Sequence, residues 1–246
     1  MKKGAGLEFE AKFLDVDVSA VRATLKKCGG KLVHGEKVYH RTAFNLATDK
    51  IRGFCRVRDE GDVYITCKTY ANPDFPDETE IKVDATYQEA VALLTAIGIN
   101  KKAVQESVRE KWSFPPNSEV HEITFDTIPG LPTYLEVDCT SERALNEMIK
   151  LLKLDESKKR FGAFDRTYEE YYGIPRAVIN EQTPHLTFAN ILNEIKPTKN
   201  KELLAKLAKE QHDMVSKLSA TKAAGRRQSR RSRKSRTPAR RVSRKR

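Results

Sequence analysis

No apolar run in this sequence is long enough to cross a bilayer. The longest nearly apolar stretch, Ala90 to Ile99, is half the roughly 20 residues that a spanning helix needs. Lys2 and Lys3 lead into Glu8 and Glu10 instead of an apolar segment, so no secretory signal is expected. Cysteine is scarce: Cys28, Cys55, Cys67 and Cys139 are too few for a disulfide scaffold and form no Cys-x-x-Cys pair. The histidines (His34, His40, His121, His185, His212) show no zinc spacing. No repeat of 20–50 residues is visible. These absences describe a reduced intracellular protein without structural zinc or a membrane segment, and they leave its oligomeric state open.

Acid is missing locally. Residues 222–246 hold 13 Lys or Arg and neither Asp nor Glu. Subtracting those 13 from the net charge of +12 leaves residues 1–221 at −1, so the basic character belongs to a tail. Its Arg/Ser-rich composition cannot bury a core and predicts disorder. It fits an import signal, which would make the protein nuclear, or a sequence-independent nucleic-acid tether. Ser229 and Ser243 each follow Arg-Arg-x and Thr237 precedes Pro238, a pattern that suits phosphorylation.

The remainder alternates. Leu7-Glu8-Phe9-Glu10-Ala11-Lys12-Phe13 has the two-residue period of a strand with one apolar face. Further strands are predicted at 51–58, 62–70, 78–84, 104–114, 119–126 and 133–139, the first two joined by an Asp59-Glu60-Gly61-Asp62 hairpin. Helices are predicted over 18–28, capped by Asp17 or Ser19 and stopped by Gly29-Gly30, from the Thr86-Tyr87-Gln88-Glu89 capping box to about Ile97 with Gly98 as its stop, and from a Ser141 cap to about Leu152. Residues 1–173 form the body. Residues 174–198, with Pro175, Pro184 and Pro197, look like a connector, and 199–221 read as a C-terminal helix.

The polar strand faces carry the chemistry. Glu8, Glu10 and Lys12 share one face, as do Arg56 with Arg58, Thr66 with Lys68, Glu78 with Glu80 and Lys82, and Glu136 with Asp138. A sheet with its charged side in water accounts for any one of these. A barrel with a charged lumen and an apolar outside, packed on helices, accounts for all five. Paired carboxylates would supply oxygens for a hard cation such as Mg2+ or Mn2+, and paired Arg and Lys would clamp phosphate.

Glu8-Phe9-Glu10-Ala11-Lys12 resembles the Glu-x-Glu-x-Lys opening of the CYTH family, the triphosphate tunnel metalloenzymes. Arg56-Val57-Arg58, Ile65-Thr66-Cys67-Lys68, the stretch from Asp126 to Asp138, and Tyr168 with Tyr171 and Tyr172 resemble later family segments in order, over roughly residues 7–173. Glu78-Thr79-Glu80-Ile81-Lys82 departs from the family's Arg-x-Glu-x-Glu, and the strand expected near residue 40 is only Tyr39 to Asn45. The resemblance implies an α+β fold: an antiparallel β-barrel, the triphosphate tunnel, with helices outside. It implies metal ligands in Glu8, Glu10, Glu136 and Asp138. Lys12, Arg56, Arg58, Lys68, Arg109 and Lys159 would grip the substrate, with Lys158 and Arg160 as alternatives to Lys159. Glu80 or Asp126 would orient the attacking water or a second metal. Asp126 fits a turn cap before Pro129-Gly130 equally well. The implied activity is Mg2+- or Mn2+-dependent hydrolysis of a triphosphate-bearing substrate. The alternatives are a cyclase making cyclic AMP from ATP, and a non-catalytic binder of polyphosphate or nucleic acid.

Overall fold

The computed structural model describes residues 6–7, 9–48, 50–71 and 76–234, with backbone alone at 6–7 and 222–234. In chain order the elements are β1 (Gly6–Leu7), β2 (Phe9–Phe13), α1 (Val18–Lys27), β3 (Lys31–Asn45), β4 (Gly53–Asp59), β5 (Val63–Thr69), β6 (Asp77–Val83) and α2 (Tyr87–Ala96). They continue with β7 (Lys101–Ser113), β8 (Val120–Thr127), β9 (Tyr134–Cys139), α3 (Glu142–Leu151), α4 (Asp165–Tyr172), α5 (Arg176–Glu181), β10 (His185–Leu186), α6 (Ile191–Glu194) and α7 (Lys201–Lys234). The helix starts follow the capping residues. Asp17 accepts from the Ala20 amide, Ser141 from the Ala144 amide, and Thr86 with Glu89 closes a reciprocal capping box.

The sheet order is β1-β6-β5-β4-β3-β7-β8-β9-β2, antiparallel along this path, with β10 added to β7 in parallel. β1 and β2 belong to one N-terminal stretch, so the two ends of this order meet. Gly6 and Leu7 pair with Glu78 and Asp77, and Phe9–Phe13 pair with Cys139–Leu135. The sheet thereby curls into a barrel.

The two-residue period then separates inside from outside. Outward-facing Ala11, Phe13, Trp112, Ile123, Phe125, Leu135 and Val137 pack on Val21 and Leu25 of α1 and on Leu145 and Ile149 of α3. Phe44, Val57 and Val63 pack on Ala90 and Leu94 of α2. Trp112 is accordingly core, donating its indole N–H to Glu110 at 2.7 Å.

A second cluster joins the barrel to the C-terminal segment. Tyr168 and Tyr172 of α4 donate their hydroxyls to the carbonyls of Pro129 and Gly130. Gln211 of α7, 5% exposed, accepts from the Gly130 amide at 2.7 Å and donates to the Leu131 and Ile128 carbonyls. Gly130 has φ +76°, which suits glycine at this clasped turn.

Three expectations are corrected. Residues 174–198 are a packed part of the body: Ile174, Ile179, Leu186, Ile191 and Ile195 are buried there. The prolines fall where they do no harm, Pro175 capping α5 and the Pro184 carbonyl accepting from the Val104 amide. α7 passes the expected end at residue 221 and continues to Lys234, because Ala, Arg, Lys and Gln propagate a helix already begun. Residues 235–246 of the expected disordered tail lie outside the described residues. Finally, β3 is a 15-residue strand where only Tyr39–Asn45 was expected. No helix among the described residues is long and apolar enough to cross a membrane.

Candidate active site

Cross-strand register assembles the lumen, because directly opposed residues share a face. Around the barrel it aligns Glu10 with Asp138, Lys12 with Glu136, Asp126 with both Tyr134 and Arg109, Arg41 with Arg58, Arg56 with Thr66, Thr66 with Glu80, and Lys68 with Glu78. Apart from Lys82 on β6, which is half-exposed, the charged residues that the alternation groups on strand faces therefore point inward where they are described.

The charges meet one another there. Lys12 Nζ lies 2.9 Å from Glu10 Oε1 and 3.1 Å from Glu136 Oε2. Burial alone would lower the Lys12 pKa, but Glu10 and Glu136 outweigh it and hold the ammonium well above its usual value. Lys68 pairs with Glu78 at 2.9 Å and reaches Glu10 at 3.6 Å, linking β5 to β2 across the seam. Arg109 makes a two-pronged fork onto Asp126, with both contacts at 2.7 Å, and extends to Glu136 at 3.3 Å and Glu122 at 3.4 Å. Burial opposes its charge, yet Asp126 and Glu136 raise its pKa well above the ordinary value. Glu80 Oε2 accepts from the Thr66 hydroxyl at 2.8 Å and from Arg58 at 3.1 Å.

One corner differs. On β3 and β4, Arg41, Arg56 and Arg58 gather, and Arg41 Nε and Nη2, Arg56 Nε and Arg58 Nε are buried without a hydrogen-bond partner. Burial, followed by the neighbouring Arg56, Arg109 and Arg58, lowers the Arg41 pKa from its ordinary value to about 10. Its guanidinium lies 5.1 Å from the Phe164 ring centroid, just before α4. Buried donors without acceptors cost stability unless something supplies the acceptors. A polyanion would do so. Arg41 is the functional candidate that sequence reasoning missed. Its flanking residues, His40 and Thr42, are polar too, so no alternation marks it, and only the pairing of β3 with β4 places it opposite Arg58.

The individual predictions fare differently. Glu10, Lys12, Arg56, Arg58, Lys68, Glu80, Arg109, Asp126, Glu136 and Asp138 all lie on the lumen face, whereas Glu8 lies outside the described residues. Asp126 is no turn cap: at 1% exposure, its oxygens accept from Arg109 and, at 2.7 Å, from Thr124. Lys159 is set apart, its ammonium over the Phe161 ring at 5.4 Å, while Arg160 exchanges backbone hydrogen bonds with Lys12 and pairs with Glu170. Of the two departures on β6, Glu78 is buried against Lys68, but Lys82 pairs with Asp62 at a half-exposed position. For a divalent cation the described donors do not fit as they stand. Glu10 and Glu136 both close on Lys12, and no three His, Cys, Asp or Glu among the described residues are placed to hold a metal.

No family model and no curated protein matches this sequence. Solved structures do. A protein of Vibrio parahaemolyticus described as a putative adenylate cyclase matches with TM-score 0.54 and 13% identity, over 67% of this chain and 98% of that one. The PH1012 protein of Pyrococcus horikoshii matches with TM-score 0.52 and 19% identity, over 64% and 96%. The PH1819 protein of the same organism gives TM-score 0.50 and 16% identity, over 66% and 98%. At such identities the likeness establishes the fold: a curled antiparallel barrel of the kind the CYTH resemblance implies.

Proposed function

We propose that the lumen binds the triphosphate group of a substrate and hydrolyses it. The observation that carries this reading is the corner of Arg41, Arg56 and Arg58, with buried N–H groups that have no acceptor in the protein. Phosphate oxygens are matched acceptors for guanidinium forks. In the reaction, water attacks the terminal phosphorus, the P–O bond to the leaving diphosphate breaks, and the arginines offset charge on the equatorial oxygens. Glu80, held 3.1 Å from Arg58 with its Oε2 fixed by Thr66, is the carboxylate assigned to orient the water. Lys12 and Lys68 complete the cationic wall. Because the described carboxylates form no metal centre, no step is assigned to Mg2+ or Mn2+, and the cation is a variable of the test.

A second reading, a non-catalytic polyphosphate binder, draws on a specific observation. Glu10, Glu78, Glu80, Asp126 and Glu136 each already face a Lys or Arg. Incubating the protein with tripolyphosphate, ATP and triphosphate-ended RNA, with and without Mg2+ or Mn2+, separates the readings. Released phosphate that is lost in Glu80→Gln is the expected result. Cyclic AMP with pyrophosphate would mean a cyclase, and affinity without turnover would mean a binder. The absence of both affinity and turnover would end the tunnel reading.

A further inference from the structure

We propose that the second half of α7 is a nucleic-acid-binding element with one basic face. The first half of the helix is fixed to the body through Leu204, Ala208 and Gln211. Burial along it fades at Leu218, and Ser219, Ala220 and Thr221 are exposed. The helical backbone nevertheless continues to Lys234. Seven of its last 13 residues are Lys or Arg: Lys222, Arg226, Arg227, Arg230, Arg231, Arg233 and Lys234.

Their spacing is not random. At about 100° per residue, and with Lys222 as zero, Arg233, Arg226, Arg230, Lys234, Arg227 and Arg231 fall at about 20°, 40°, 80°, 120°, 140° and 180°. All seven cations occupy one half of the helix. The other half holds Ala224, Gln228, Ser232, Gly225 and Ser229. On the same scale the anchoring residues Leu204, Ala208 and Gln211 fall near 0°, 40° and 340°, so the basic face is turned about a quarter-turn from the anchored one.

The chemistry of the two halves selects the ligand. A helix that lies on a lipid surface needs large apolar residues opposite its cations. This one offers alanine, serine, glutamine and glycine, which suit a helix facing water on one side and phosphates on the other. Thirteen residues span about 20 Å, and that length of duplex carries on the order of a dozen phosphates. With residues 1–221 at a net −1, the body adds almost no competing field. The contacts are to phosphates, so binding is independent of base sequence and driven by counterion release.

The test uses the full chain, a labelled 20-nucleotide RNA, a 20-base-pair DNA duplex and phosphatidylserine vesicles, each titrated across NaCl concentrations. Two variants are compared with it. In one, Arg226, Arg227, Arg230 and Arg231 are all changed to Gln. In the other, residues 222–234 are permuted so that the same cations are spread around the helix. The first variant is expected to flatten the log–log salt slope by about 3 on RNA and about 4 on duplex. The permuted variant is expected to bind more weakly than wild type despite its identical charge. Equal binding by the permuted variant would overturn the one-faced element, and equal binding by the fourfold variant would place the site elsewhere. Tighter binding to vesicles than to either nucleic acid would overturn the choice of ligand. Tripolyphosphate affinity, which belongs to the lumen, is expected to be unchanged in both variants.

Discussion

Arg41→Met separates binding from stability, because the two should move in opposite directions. Methionine keeps an unbranched stem against Phe164 and removes a guanidinium that sits beside Arg56, Arg58 and Arg109. With burial and those neighbours lowering its pKa from the ordinary arginine value to about 10, the charged form is disfavoured in the fold by on the order of 3 kcal/mol, at about 1.4 per pKa unit. The native state releases this proton more readily than the unfolded chain does. The cost is therefore present in full below pH 10 and is relieved as pH rises through about 10 toward the ordinary arginine range. At pH 7 the variant should be more stable than wild type by roughly 1–3 kcal/mol, less whatever contact with Phe164 is lost. Binding should weaken. A charge-assisted hydrogen bond to phosphate contributes about 1.5–3 kcal/mol, so tripolyphosphate affinity should fall about 10- to 150-fold. Urea unfolding and calorimetry measure the two quantities on the same samples. A variant that loses 2 kcal/mol or more of stability and binds tripolyphosphate as before would refute the assignment, because Arg41 would then be a structural residue.

Three other perturbations follow from the same geometry. Lys12→Met leaves Glu10 and Glu136 without their shared cation and should cost about 3–5 kcal/mol at pH 7 by urea unfolding. Because the Lys12 pKa is raised in the fold, wild type should lose this contribution only as pH rises above the normal lysine range, a loss the variant should not show. Asp126→Asn breaks the fork from Arg109 and should lower the thermal midpoint by an amount equivalent to about 3 kcal/mol. Gln211→Ala removes the contacts that clasp the turn at Ile128–Leu131 and should cost about 1–3 kcal/mol, measured by the same unfolding curve.

The sequence announces those parts of this molecule whose reason is local. In β2, β4, β5, β6 and β9 the contrast between apolar and charged neighbours is enough to assign both faces, and the register bears that out. Capping residues likewise mark the starts of α1, α2 and α3. β3 hides its first half because Lys31–Glu36 is largely exposed and the pairing slips at Leu32/His34 and His34/Lys37, so no period survives. The segment from Ile174 to Ile195 hides for another reason. Its apolar residues are irregularly spaced and bury against α4 and α7, contacts that no short window contains. Arg41 belongs to this second kind: its meaning lies in Arg58, across a strand pair. The grouping of Lys12 with Glu10 and Glu136 is readable as a shared face, but not as a closed ion-pair cluster, because Glu136 comes from the far end of the barrel's sequence.

The closing seam also sets the order in which the chain can finish folding. β2 pairs with β9, so Phe9 must wait for Cys139, 130 residues later, before its edge is satisfied. During synthesis, β3 to β5 can zip as neighbouring hairpins while β2 stays unpaired with its apolar side uncovered. Loop-closure entropy on that scale makes the final step slow, and it belongs to the non-local contacts that dominate folding time in β proteins. The same step brings Glu10 and Lys12 to Glu136, so the charged lumen is completed only when the barrel shuts. A nascent chain stalled before β9 emerges would carry the arginine corner and an open sheet edge together, a species prone to pair with other chains.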